Sequence, residues 1–485
     1  MATASTLGPV KARLFAPENR QWWTLAAVTF GLFMIMLDNT VVNVALPSMQ
    51  DDLGISQSGL EWVVNAYALT FGVLLLTGGK LADLFGRRLL FIVGLLIFTA
   101  SSLACGLATG SEMLIGARTV QGIGAAMMNP ATLSIITATF APRQRGMAIG
   151  IWAGVAAMAL AIGPLVGGIL TQKINWSWIF FINVPIGLIG IVAARLFIDE
   201  SRDTTEQRLD LPGLLTSGIG LFALTYALIS TNHHPWGSPL VLSMFALAVV
   251  SLGAFVLLEL HQRLPMLDLT LFKNPTFAGA NAVMLLIGVA MFGIFFFNSL
   301  FFQRVIGYSA IQTGAIFLPM TVLIMFVAPL AGKFSDRVGS RWLMATGMLL
   351  LTASLLSFAQ LDVGSNFWNV LPALLLGGVG MGLVMTPTTA AAMGSVPVAK
   401  AGVGSAVINS MRQVGGSLGI AVMGAVVATQ VHVTSGPLLA EQFTKGYHDA
   451  LYVGAAITLS AAAVAVSLVR KIEHPHPATT EPVSA

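Results

Sequence analysis

The sequence predicts an all-helical integral membrane protein with 14 crossings, and three observations carry that prediction. The 485 residues are 56% hydrophobic and only 9% charged, whereas a soluble domain carries about a quarter charged residues. Fourteen apolar stretches approach or exceed the ~20 residues a helix needs to cross hydrocarbon. Lys and Arg fall, with few exceptions, on alternate connections.

In chain order the expected spans are 22–46, 59–78, 89–109, 112–138, 147–171, 178–198, 211–231, 238–260, 276–302, 312–332, 342–361, 368–393, 402–430 and 447–470. An even number places both termini on one side. With that side cytoplasmic, the outer connections hold only Lys173, Arg304 and Lys445 of the 24 Lys and Arg residues, and Arg118 and Arg412 lie within spans. No reversed or shifted ordering gives so lopsided a split, so the positive-inside rule fixes the orientation. The net charge of +4 is then topological, and no nucleic-acid partner is expected.

Residues 1–21 read as a cytoplasmic tail. The apolar run from Trp22 to Leu37 is longer than the ~7–15 residues of a signal-peptide core and has no small-residue cleavage site behind it. It is therefore expected to be retained as the first span. The single cysteine, Cys105, sits in an apolar run and offers neither a disulfide nor a metal site.

The connection after span 2 recurs. "GKLADLFGRR" (79–88) and "GKFSDRVGSR" (332–341) share Gly, Lys, Asp, Gly and the final Arg at an offset of 253, each between adjacent spans on the inner side. The chain thus reads as two six-helix halves, 22–198 and 276–470, around an inserted helix pair, 211–260. Linkers at 199–210 and 261–275 join them, and 471–485 forms a second cytoplasmic tail. In each loop the glycines (Gly79 and Gly86 in the first) allow a tight turn. The carboxylates Asp83 and Asp336 can cap an adjoining helix N-terminus, while Arg87, Arg88 and Arg341 can bridge to them or to helix C-terminal carbonyls.

Ionisable and polar groups within spans are costly, so each is a functional candidate. Asp38 in span 1 and Arg118 in span 4 lie at similar depths in the outer half, which permits a pairing. Glu61 stands near the outer mouth of span 2, with Asn65 on the same face. Arg118 shares its face with Gln121 and Asn129, and Ser405, Asn409, Arg412 and Gln413 stripe span 13. A buried carboxylate whose neighbouring cation moves can switch between holding and releasing a proton, which makes Asp38, Glu61 and Arg118 the candidates for proton coupling, with Arg118 as the moving cation. Glu61 is equally readable as a carboxylate snorkelling to the outer surface. Asn43, Asn65, Met127, Asn129, Asn409, Arg412 and Gln413 are the pocket candidates. In span 5, Gly163, Pro164, Gly167 and Gly168 remove bulk and free backbone hydrogen bonds.

These features resemble the major facilitator superfamily, whose signature loop is matched by "GGKLADLFGRR" (78–88). Fourteen spans, "LDNTVVNVALP" (37–47), "GARTVQGIGAA" (116–126), "GPLVGG" (163–168), "INWSWIFFINVPIG" (174–187) and "NSMRQVGGSLGIA" (409–421) narrow the resemblance to the 14-helix drug:proton antiporters of EmrB/QacA type. One departure is Ala159, where the family's span-5 motif opens with Gly; Ala is still small. The resemblance implies the major facilitator fold, alternating access between halves and no enzymatic activity. It implies no cofactor beyond a proton gradient, and export of amphipathic, often cationic compounds through a bacterial inner membrane. It further implies a monomer working with protons, the bilayer and, in some systems, accessory envelope proteins, and a role for the span-5 motif in preventing leak. The alternative within transport is export of an endogenous lipid or hydrophobic metabolite with incidental drug efflux.

Overall fold

Apolar runs in hydrocarbon must satisfy their backbone polar groups internally, and this chain does so with helices alone among its described residues. The computed structural model describes residues 17–55, 57–202, 210–231, 234–262, 265, 267–431 and 437–470. The helices are α1 (Pro17–Leu53), α2 (Gln57–Phe85), α3 (Arg87–Gly106), α4 (Ser111–Thr139), α5 (Pro142–Lys173), α6 (Trp178–Phe181), α7 (Asn183–Phe197), α8 (Leu211–Ser230), α9 (Pro239–His261), α10 (Pro275–Arg304), α11 (Ala310–Ile316), α12 (Leu318–Val338), α13 (Ser340–Phe358), α14 (Phe367–Gly394), α15 (Ala401–Ala428) and α16 (Pro437–Leu468).

Among the described residues, 12 helical stretches are long and apolar enough to cross a membrane. The two expected spans outside that number are α4 and α5, at 29 and 32 residues. Both carry polar or glycine positions that lower their hydropathy, and both are buried among other helices: α4 on α2 and α3, α5 on α1 and α12.

Two expected spans are broken. Span 6 divides at Ile182 into α6 and α7, and span 10 divides at Phe317 into α11 and α12. Pro185 and Pro319 follow the breaks, each removing an N–H from the helix ladder. The last helix begins at Pro437 rather than near 447. Its added turns mix polar residues with Leu438, Leu439 and Phe443 and carry an i,i+4 pair between Lys445 and Glu441 at 3.4 Å, which supports helix.

Packing falls into two groups. Helices α1–α7 pack mainly on one another, and so do α10–α16. The groups meet where α2 lies along α15 and α5 along α12, with α4 also reaching α15. Small residues permit these approaches: a Cβ at Gly79 would stand 2.5 Å from the Gly402 carbonyl oxygen, and one at Gly150 2.5 Å from that of Ala328. The α8–α9 hairpin sits apart, with α8 against α2 and more thinly against α15.

The repeated loop is also a repeated geometry. Gly86 and Gly339, at matching positions, turn the chain with φ of +118° and +92°, a region that glycine enters without a Cβ penalty. Lys80, Arg87, Arg88, Lys333 and Arg341 gather at this end of the bundle, called the basic end below.

Candidate functional site

The apolar stretch of α1, between Glu18 near one end and Asp51 and Asp52 at the other, carries one carboxylate, Asp38, and it is 0% exposed. A lone charge there would be expensive, and the structure supplies its partner from α4. Arg118, 1% exposed, reaches Asp38 Oδ2 through Nη1 at 2.5 Å. Gln121, one turn along α4, donates from Nε2 to Asp38 Oδ1 at 3.0 Å and accepts from Arg118 Nη1 at 2.7 Å. Arg118 Nε also donates to the Val63 carbonyl at 3.0 Å, and its guanidinium lies 4.3 Å from the centre of the Tyr67 ring. The pairing that sequence position permits is therefore formed.

The network runs on from Gln121, whose Nε2 also donates to Ser102 Oγ on α3 at 3.1 Å. Ser102 Oγ receives Asn183 Nδ2 from α7 at 2.9 Å and donates to the Phe180 carbonyl at 3.2 Å. Side chains of four helices, α1, α3, α4 and α7, are joined by this buried polar chain, which also takes in backbone carbonyls of α2 and α6. Gln121 was legible as a neighbour of Arg118. Ser102 and Tyr67 carry no signal in a single sequence, and Asn183 shows only as part of the 174–187 stretch.

At the basic end the two repeated carboxylates each reach across to the other helix group. Asp83 Oδ1 accepts from Gly402 N and Oδ2 from Val403 N, both at 2.9 Å, capping the start of α15. Arg87 donates to Asp83 Oδ1 from Nε at 3.1 Å and Nη2 at 2.9 Å, and to the Ala399 carbonyl at 3.1 Å. Asp336 mirrors this toward α5, accepting from Gly146 N at 3.0 Å and Met147 N at 3.3 Å.

The second copy lacks the arginine brace. Its place is taken by Ser340, hydrogen-bonded to Ser335 at 2.7 Å. Arg341 does not bridge to Asp336; it lies 5.2 Å over the Trp342 ring, with Nε unpaired. In the first copy Arg88 points away as well, toward the Ile198 carbonyl at 3.3 Å. Glu200, from the linker, caps α3 instead, accepting from Arg88 N and Leu89 N at 3.1 Å.

The span-5 glycines lie against α1: a Cβ at Gly163 would run into the Thr40 hydroxyl, and one at Gly167 would come 2.8 Å from Val41 Cγ2. Gly168 instead faces Ile311, whose Cγ1 lies 3.4 Å from the position a Cβ would take. Of the pocket candidates, Asn65, Met127 and Gln413 are partly buried. Asn129 is fully buried with both amide atoms unpaired. Asn409 holds Arg412 Nη2 at 2.9 Å. The side chains of Asn43, Glu61 and Pro164 fall outside the described residues. Among the described residues no group of His, Cys, Asp and Glu is placed to hold a metal ion.

Outside the spans, Asp268 in the 261–275 connection pairs with Lys400 at 3.2 Å. Burial pushes its carboxyl up, but hydrogen bonds from Thr270 and the Lys400 ammonium outweigh this and hold it below the usual range.

Comparison with known proteins gives this architecture its relatives. Residues 28–420 match the family model of the Major Facilitator Superfamily. The multidrug resistance protein Stp of Mycobacterium tuberculosis is 36% identical over 423 residues, covering 87% of this chain and 79% of that protein. The puromycin resistance protein pur8 of Streptomyces alboniger is 36% identical, covering 93% and 92%. The tetracenomycin C resistance and export protein of Streptomyces glaucescens is 35% identical, covering 85% and 77%. The crystal structure of the human organic anion transporter MFSD10 superposes with a TM-score of 0.65 at 13% identity, over 92% of this chain and 99% of that one. Similarity of this extent, on a multi-pass helical bundle that repeats its signature loop, makes the chain a membrane transporter rather than an enzyme, and it belongs to the Major Facilitator Superfamily.

Proposed function

We propose that this chain is a proton-coupled exporter of amphipathic, drug-like compounds, working by alternating access in a bacterial inner membrane. The buried Asp38–Arg118–Gln121 cluster carries the reading. Arg118 keeps its charge at all working pH. Neutralising Asp38 in place would leave that buried cation without its counter-ion, at a cost of about 3–5 kcal/mol. Proton uptake is therefore tied to a conformation in which α1 and α4 have shifted, and proton loss to their return. Resistance and export in the names of the relatives support an outward direction.

In this reading α4 and α5 also cross the bilayer, giving 14 spans of the EmrB/QacA type. The basic end and both termini face the cytoplasm. Two six-helix halves rock about a midplane site, with 211–260 as an inserted pair, and one chain suffices. Asp83 and Asp336 hold the cytoplasmic end shut by capping helices of the opposite half.

The test is accumulation of a substrate panel, lipids included, in everted vesicles acidified within. Uptake that collapses with a protonophore is expected. Uptake indifferent to the gradient would overturn the coupling, and export of lipids alone would reassign the substrate.

Gly163→Leu is expected to block or uncouple this export. Its side chain would enter the Thr40 contact between α1 and α5, and overpacking of that kind costs about 1–3 kcal/mol. Gly163→Ala should fall between it and wild type. Normal efflux with no added proton leak in the Leu variant would remove any role for that contact.

A further inference from the structure

Three charges lie deep in the described helices of the two halves: Asp38, Arg118 and Arg412. The first two cancel. Arg412 does not have such a partner: among the described residues it donates only to the Asn409 side chain, and its Nε, enclosed, has no acceptor. Glu61 is the fifth residue of α2, just past its first turn and at the far end. Arg412 is about 16 Å from the basic end of α15 and about 24 Å from the other, at ~1.5 Å per residue, so the two stand too far apart in depth to pair.

Polar groups without partners recur at this level of the bundle. Ser405, Asn409 and Arg412, spaced i, i+4, i+7, share one face of α15. Ser405 Oγ is buried without a partner. Asn409 is anchored by Nδ2 to the Ser405 carbonyl at 2.9 Å, which aims its oxygen at the guanidinium. The exposed residues Ala425 and Ala428 lie roughly 140–160° round the helix from Arg412 at 3.6 residues per turn, so this face turns away from lipid. On α4, which packs against α15, Asn129 holds two unpaired amide atoms at a similar depth, ~15 Å from the basic end.

Buried groups without partners call for a ligand or water to complete them. Here they share a helix face or a depth with a permanent cation whose planar fork suits an oxyanion. We propose that Arg412, positioned by Asn409, is the binding site for the acidic group of an amphipathic ligand, a carboxylate or an equivalent oxyanion. This rests on the reading of the chain as an exporter of amphipathic compounds, and it widens the expected substrates from cationic ones to acid-bearing ones.

The test compares 11-(dansylamino)undecanoic acid with its methyl ester, by fluorescence, on the purified full-length protein in phosphatidylcholine nanodiscs without a proton gradient. Wild type is expected to bind the acid about tenfold or more tightly than the ester, in line with a charge-assisted pair. Arg412→Gln should bind both as wild type binds the ester, and Arg412→Lys, which keeps the charge without the fork, should retain part of the preference. A wild type that prefers the ester, binds both equally, or binds neither overturns the proposal, as does a preference that survives in Arg412→Gln. Should Arg412→Gln fail to fold, the wild-type ratio and Arg412→Lys still decide: an undiminished preference in the Lys variant overturns the fork. Acid binding suppressed in phosphatidylglycerol nanodiscs would assign the same oxyanion site to a lipid headgroup. Because binding is read without a gradient, a wild type that prefers the acid but exports nothing retains this site and loses the exporter reading.

Discussion

Asp83→Asn is expected to release the basic end of the bundle. The carboxylate accepts two backbone N–H groups of α15 and two donors of Arg87 at once. An amide keeps one acceptor and turns an NH2 toward donors, leaving Arg87, 2% exposed, without its counter-ion. Breaking a buried pair in this way costs about 3–5 kcal/mol, a shift of more than a hundredfold in a two-state equilibrium. Spin labels at the exposed Phe85 of α2 and Val398 before α15 should report it as a move from short to long distances. Asp336→Asn should move the equivalent contact less, because Asp336 accepts only two backbone N–H groups and has no arginine brace. An unchanged distance distribution in Asp83→Asn, with unchanged transport, would show that this contact does not hold the state closed.

Asp38→Asn should stop proton-driven export and also destabilise the fold. The stability loss, about 3–5 kcal/mol, comes from leaving Arg118 charged and unpaired at 1% exposure. The double variant Asp38→Asn/Arg118→Gln separates the two effects. With no net charge left in the cluster it should recover most of the melting temperature, while substrate-induced proton release in detergent stays absent. Undiminished proton release from the folded double variant would transfer the proton site to another carboxylate, with Glu61 the first to examine.

What the sequence makes legible is what repeats or what costs. The loop at 79–88 and 332–341 shows itself by recurrence, and its two glycines then take the same unusual φ. Asp38 and Arg118 stand out because charge in an apolar run needs a reason, and their depths agree. The rest of the cluster is hidden for a physical reason. Ser102 and Asn183 are small polar residues on other helices, each tolerable in a span because it can bond locally, so neither marks itself. The caps on α15 and α5 are equally hidden, since they join residues some 190–320 positions apart. Glu200 sits in a polar linker that reads only as solvent-facing, yet it caps α3. The breaks at Ile182 and Phe317 follow from Pro185 and Pro319, which a hydropathy count passes over.

The α8–α9 hairpin has one further consequence. It leans on α2 and, more thinly, on α15, which belong to opposite sides of the seam between the halves. When those sides part, α8 cannot follow both. Its closer fit to α2, where Trp62 meets Tyr226 and Gly218 meets Val73, makes it a passenger of the first half. The connection after α9 must then act as a tether whose slack sets how far the halves travel, and the Asp268–Lys400 pair is where that tether is tied to the second half. With its carboxyl held below the ordinary range, Asp268 stays ionised at neutral pH, and the knot loosens only as pH falls through that low value.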